Sequence, residues 1–289
     1  MNNPFDPLQS NLLDLLYALE GSHISLTIGG GYGLYLKRQQ IEMSNAKTLL
    51  SFIPPARSTN DLDVFLQTEV FAHSSNAEAV SEALQRMGCT ALEASKCFQF
   101  ARSVQHNGQP HEIKFDLLTK MPIDQPDQQI QVNGIRVKNK KTSGIHAHLT
   151  KEAVAIDDSP VSVQITGTRT FGEDYAATVY VPQTYAYLLM KLFAFRDWET
   201  VKKEPEQGRK HALDLYSIAA MTTEEELAIA EQLSQKYRQT PEAQEAGQIV
   251  KEFFSRNADL GIIRLRENQA PIPDGEEAEF KSLLSDLLP

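Results

Sequence analysis

Apolar side chains recur at helical spacing through LQSNLLDLLYALE, residues 8–20, and predict an amphipathic opening helix. The next segment changes period. Residues 24–28 are β-rich and run into Gly29, Gly30 and Gly31, after which residues 32–40 suit a helix, giving strand, glycine turn and helix. Pro54 and Pro55 forbid regular structure at the end of 41–56, which reads as a loop or short insertion. DLDVFL at 61–66 alternates as a short strand, and 76–87 follows as a helix with Gly88 as its terminator. Strands are expected at 98–105 and 112–118 across the turn-forming His106-Asn107-Gly108. QIQV-NG-IRVK then predicts a hairpin with Asn133-Gly134 as its two-residue turn. Two more strand-like segments lie at 161–166 and 178–181.

Beyond Pro182 the period is helical. Residues 185–199, 208–221 and 222–237 read as helices, with Thr222 and Glu225 forming a capping box, and two or three more helices complete the chain. The expected class is α/β (α+β): a core with a mixed sheet over 1–181 and a helical domain over 182–289.

Composition narrows the setting. With 289 residues, 41% hydrophobic and 23% charged, the chain has the make-up of an ordinary globular protein. No apolar run approaches the roughly 18 residues of a membrane span. The N-terminal MNNPFDPLQS lacks the pattern of a secretory signal, so a cytoplasmic, non-membrane protein is expected. Cys89 and Cys97, even with His106 and His111 nearby, match no zinc pattern and read as reduced thiols. A net charge of -10 argues against broad nonspecific nucleic-acid binding. Yet residues 128–150 hold no acid, while Arg136, Lys138, Lys140 and Lys141 cluster with His146 and His148. A solvated hairpin face is the default reading of that region, and a local guide for RNA is the other.

The chemistry concentrates in RSTNDLDVFL, residues 57–66. Strand alternation puts Asp61 and Asp63 on one face and turns Leu62 and Val64 to the core. Adjacent carboxylates repel, and a divalent cation relieves that repulsion; hard oxygen ligands suit magnesium. Asp116, in EIKFDLLT, supplies a third acid within an apolar strand, with Lys114 on its face as the ordinary salt-bridge alternative. Gly30 and Gly31 close a strand and open a helix, where free backbone N–H groups attract phosphate.

Taken together these motifs resemble the DNA polymerase β-like nucleotidyltransferase superfamily, and within it the AbiEii-like toxin family. That family's pattern runs roughly G-G…R-x-T-x-D-h-D, matched here by Gly30, Gly31, Arg57, Thr59, Asp61 and Asp63. Lys191 in YAYLLMKLFAFRDWE matches a helix whose lysine reaches nucleotide phosphates. Asp214, after Arg209 in GRKHALDLYSIA, matches a later acid-bearing helix. The likeness spans most of residues 24–220. It departs at Tyr32 or Gly31, where many members carry serine, in some sixteen extra residues at about 41–56, and at Lys210-His211 in place of Lys-Asp.

The resemblance implies a catalytic set of Asp61, Asp63, Asp116 and Lys191. The nucleotide, ATP or another nucleoside triphosphate, would be bound by Gly30, Gly31, Arg57, Thr59, Lys191, Arg209 and Asp214. Mg2+ or Mn2+ would sit on Asp61, Asp63 and Asp116. It also implies transfer of a nucleotide to an acceptor hydroxyl, with the tRNA 3′ end as acceptor and a cognate antitoxin as partner. Transfer to a small molecule is the enzymatic alternative, and a non-catalytic nucleotide sensor or partner-binding protein is the other. His211 reads as a solvated or satisfied histidine, and Trp198 with Phe193 and Phe195 as helical core.

Overall fold

The computed structural model describes all residues except 1–4, 58, 96, 107, 123–128, 143, 269–271 and 274. Asn107, in the expected turn between two strands, lies outside the described residues. The chain forms two compact units. One comprises Met1–Leu36, Arg57–Lys151 and Pro160–Val181; the other comprises Lys37–Ala56, Glu152–Ser159 and Pro182–Pro289. The segments 37–56 and 152–159 thus group with the C-terminal helices.

The first unit is built on a mixed sheet. Its helices are α1 (Asp6–Ala18), the opening turns of α2 (Gly30–Ser44), α3 (Thr68–Ala72) and α4 (Ser74–Arg86). Its strands are β1 (Leu26–Ile28), β2 (Asp61–Leu66), β3 (Thr90–Ala91), β4 (Gln99–His106), β5 (Gln109–Thr119), β6 (Ile130–Asn133), β7 (Arg136–Asn139), β8 (Ala147–Leu149), β9 (Val161–Thr168) and β10 (Asp174–Val181). The order is β6-β7-β8-β5-β2-β1-β10-β9, with β4 joining β5 and β3 joining β4. β2 runs parallel to β5 and antiparallel to β1. The α1 leucines 8, 12, 13 and 15 are buried, as are Leu62, Val64, Ile113, Phe115, Leu117, Val137, Ala147 and Leu149 on one side of the sheet. Helix α1 is tied down by Asp14, which is 2% exposed and receives Arg102 at 2.8 Å from β4 and Arg169 at 3.4 Å from the β9–β10 turn.

Several local expectations shift by a residue or two. α2 begins at Gly30 rather than beyond the glycines, and β1 begins at Leu26. The hairpin pairs Asn133 with Arg136, so its two-residue turn is Gly134-Ile135 and not Asn133-Gly134. Of the two, only the glycine at the first turn position has positive φ, +61°. β8 and α3 are too short to leave a periodic signal.

The second unit is helical: α5 (Thr184–Arg196), α6 (Pro205–Ala220), α7 (Glu224–Tyr237), α8 (Pro241–Phe253), α9 (Leu260–Arg266) and α10 (Glu276–Leu287). Its capping box is Thr223 with Glu226, one residue beyond the expected Thr222 and Glu225. Thr222 instead turns inward, donating to the Ile218 carbonyl at 2.8 Å. Glu276 at the start of α10 receives the Ser51 N–H at 2.9 Å and also the Ser51 and Tyr216 hydroxyls, which fastens the 37–56 segment. No described helix is long and apolar enough to cross a membrane.

Candidate active site

The site begins with the register of two parallel strands. Asp63 on β2 pairs with Asp116 on β5, and Asp61 pairs with Lys114. Paired residues point to the same side, so Asp61, Asp63, Lys114 and Asp116 share the face opposite the buried Leu62, Val64, Phe115 and Leu117. Asp61 is exposed and Asp63 half-buried. The same register logic extends sideways. Gln99 on β4 lies opposite Asp116, His148 on β8 opposite Leu118, and Arg136 on β7 opposite His148. One sheet face therefore carries the three acids and also half-buried His148 on β8, next to β5, with half-buried Arg136 and Lys138 on β7 one strand further out.

Asp116 is the electrostatic centre of the group. Burial first, then the Asp63 charge beside it and Asp61 beyond, push its carboxyl up to about 6, against the opposing pull of Gln99 and Lys114. Its Oδ1 atom is buried and accepts no hydrogen bond among the described residues. Lys114 sits 3.9 Å from Glu112, and among the described residues it forms no ion pair within 4 Å of Asp116. Burial also lowers the pKa of His148.

The glycine turn rests directly on these acids. The Gly29 N–H donates to the Asp63 carbonyl at 2.8 Å, and Gly30 has φ of +59°. A side chain at Gly30 would fall on the Asp63 carboxylate. Gly31 is covered by the Arg57 guanidinium, whose carbon would lie 3.4 Å from a Cβ placed there. Thr59 accepts the Asp61 N–H at 3.2 Å and so fixes the entry to β2 rather than reaching outward. Sequence reasoning missed Gln99; the register of the β4–β5 hairpin is the signal that finds it.

Do these residues fit a divalent cation? The donor set is all carboxylate oxygen, the type that magnesium and manganese prefer. Asp116 holds an unsatisfied buried oxygen, and the repulsion raising its pKa is the kind that a cation removes. As they stand, however, no three His, Cys, Asp or Glu side chains among the described residues are drawn together tightly enough to hold a metal. The chemistry of the donors fits; their placement does not form a closed set.

Lys191, Arg209 and Asp214 belong to the helical unit. Lys191 and Asp214 form a buried pair at 2.6 Å, 8% and 5% exposed at their side chains. His211 Nδ1 lies 3.9 Å from the same carboxylate. Arg209 pairs with Glu206 one turn earlier on the surface of α6. Phe193 and Phe195 are core, as expected, but Trp198 is not: it is half-buried on a π-helical turn, Asp197–Val201.

No family model and no curated protein matches the chain. Among solved structures, it is similar to the solution structure of the antibiotic-resistance factor ANT(2″)-Ia at 11% identity. That match covers 81% of this chain and 95% of the other, with a TM-score of 0.35, a likeness too distant to transfer a function.

Proposed function

We propose that the chain is a metal-dependent nucleotidyltransferase with a polymerase β-like core, moving a nucleotide from a nucleoside triphosphate to the 3′-terminal hydroxyl of an RNA, with tRNA as the acceptor class. One observation carries the reading: the Gly30 backbone is seated on the carboxylate of Asp63, which stands in register with Asp116. A phosphate-binding bend and an acid pair meet at one point.

In this reading the start of α2 faces the phosphate oxygens, as helix N-termini favour anions. Arg57, spread over Gly31, adds positive charge beside them. Asp61, Asp63 and Asp116 would hold Mg2+ or Mn2+, which when bound supplies charge neutralisation and an acidified attacking hydroxyl. The attacking oxygen forms its bond to the α-phosphorus as pyrophosphate leaves, and the chain's own work is positioning and electrostatics. RNA is favoured over a small acceptor because Arg136 and Lys138 occupy the same sheet face as the acids. An acidic protein needs such a local positive stripe to bind a phosphate backbone. A cytoplasmic location and a cognate antitoxin partner follow from the same reading.

The test is incubation with magnesium and each labelled triphosphate, with and without total tRNA. Label entering tRNA, and lost in Asp63→Asn, supports the reading. Pyrophosphate release on a small hydroxyl compound alone would replace RNA as acceptor, and no release under any condition would refute the enzyme.

A further inference from the structure

The helical unit carries an aromatic feature that the proposed chemistry does not use. Trp198, the only tryptophan of the chain, stands half-buried on the π-helical turn 197–201. Such turns are costly departures from regular helix and concentrate at functional places. This one is held firmly. The Glu204 N–H donates to the Trp198 carbonyl at 2.9 Å, and the Lys202 N–H to the Asp197 carbonyl at 2.9 Å. Glu199, 4% exposed at its side chain, is forked on Arg264 at 2.6 and 3.2 Å. Gly208 on α6 leaves the room that Glu199 occupies, since a Cβ there would strike its carboxylate.

The turn so held carries a half-buried indole with two side chains against its ring. His211 lies nearly parallel to it, with planes 26° apart and centroids at 6.5 Å, the loose end of direct aromatic contact. The ammonium of Lys202, an exposed residue, sits 3.6 Å above the indole ring. A ring face covered by a solvent-borne lysine is open to exchange: a planar ligand can take the face and leave the cation to its phosphate. Lys203 is exposed next to it, while nearby Asp197 and Glu206 are already paired with Arg196 and Arg209.

We infer that Trp198 is a stacking platform for a nucleobase, with Lys202 and Lys203 receiving the phosphate of the same nucleotide. A rigid indole stacks on any base without reading its edges, so the platform favours nucleotides as a class over any one of them. It rests on the nucleotide-using reading above, but not on the acids of the sheet.

Because the chain has a single tryptophan, its intrinsic emission reports on this ring alone. The full-length protein is titrated with the four nucleoside triphosphates in magnesium, and separately with a short single-stranded RNA. Tripolyphosphate, ribose 5-phosphate and free N-acetyltryptophanamide serve as controls, and binding is followed in parallel by calorimetry. Saturable quenching by base-bearing ligands only is the expected result, and the titration that quenches names the source of the base. Trp198→Leu should weaken that ligand roughly tenfold, with Trp198→Phe retaining most of the affinity. Calorimetric binding without any change in emission would overturn the platform while leaving the nucleotidyltransferase reading in place. Absence of both heat and quenching with every ligand would overturn the two together.

Discussion

Gly30 is pressed against the carboxylate of Asp63 in a backbone conformation that L side chains rarely adopt. Gly30→Ala therefore meets two obstacles at once. The left-handed backbone alone should cost about 1–2 kcal/mol, and the added methyl must displace the acid. Transfer activity should fall on the order of 100-fold, whereas Gly31→Ala, which only touches the Arg57 guanidinium, should be the milder change. Equal losses in steady-state assays of the two variants would mean that the Gly30–Asp63 contact is incidental.

Asp63→Asn keeps the shape of the side chain and removes its charge. Label transfer should disappear while the thermal midpoint stays near that of the parent chain. Retained transfer would refute the assignment of Asp63.

The raised pKa of Asp116 makes a statement about stability. A carboxyl with a folded value of about 6 against an ordinary 3.8 favours its protonated form in the folded state. Metal-free protein should be most stable on this account below about pH 4. It should lose that contribution as pH rises from about 4 to about 6, and level off above. Asp116→Asn should raise Tm at pH 8 without metal, by the equivalent of about 1–2 kcal/mol after solvent screening, and give no gain at pH 4. Magnesium should stabilise the parent at pH 8 and not the variant. Calorimetric scans across this range check all three outcomes, and a variant less stable than the parent at pH 8 would contradict them.

Lys191 and Asp214 test whether a buried pair is structural or serves a ligand. Lys191→Met alone removes the cation held 2.6 Å from the buried Asp214 carboxylate and should cost about 3 kcal/mol. The double change with Asp214→Leu should recover most of that in denaturant melts. If stability returns and nucleotide affinity does not, the lysine contributes to binding; if both return, the pair serves the fold only.

Arg136→Ala and Lys138→Ala should weaken RNA binding without altering triphosphate affinity. For every phosphate no longer neutralised by the protein, the salt slope of binding should fall by roughly 0.7 on a single strand. Slopes unchanged in both variants would remove this stripe from the acceptor path.

How much of this is legible in the chain depends on the length of each signal. β2 is readable to the residue, because DLDV alternates, an apolar Phe65-Leu66 follows, and the run is bounded by polar neighbours. Leu62 and Val64 lie where alternation puts them. The capping box and the hairpin turn each move by one residue, since Thr222 and Thr223, or Asn133 and Gly134, are chemically near-equal for those tasks. Tertiary contact decides between them. Trp198 escapes placement because a π-helical turn changes the period midway through an apolar run, and five residues are too few to announce it. Gln99 becomes visible only when β4 acquires a register.

Residues 37–56 and 152–159 leave the sheet-bearing unit for the helical one and return, so the chain passes between the two five times before it ends. No single cut near residue 181 yields two self-sufficient proteins: the helical fragment would lack two segments that stay behind on the other. Expression as separate halves should give insoluble or proteolysed material. Co-expression split at that point would leave the segment fastened by Glu276 on the wrong fragment. Dissection of this molecule is better done by substitution than by truncation.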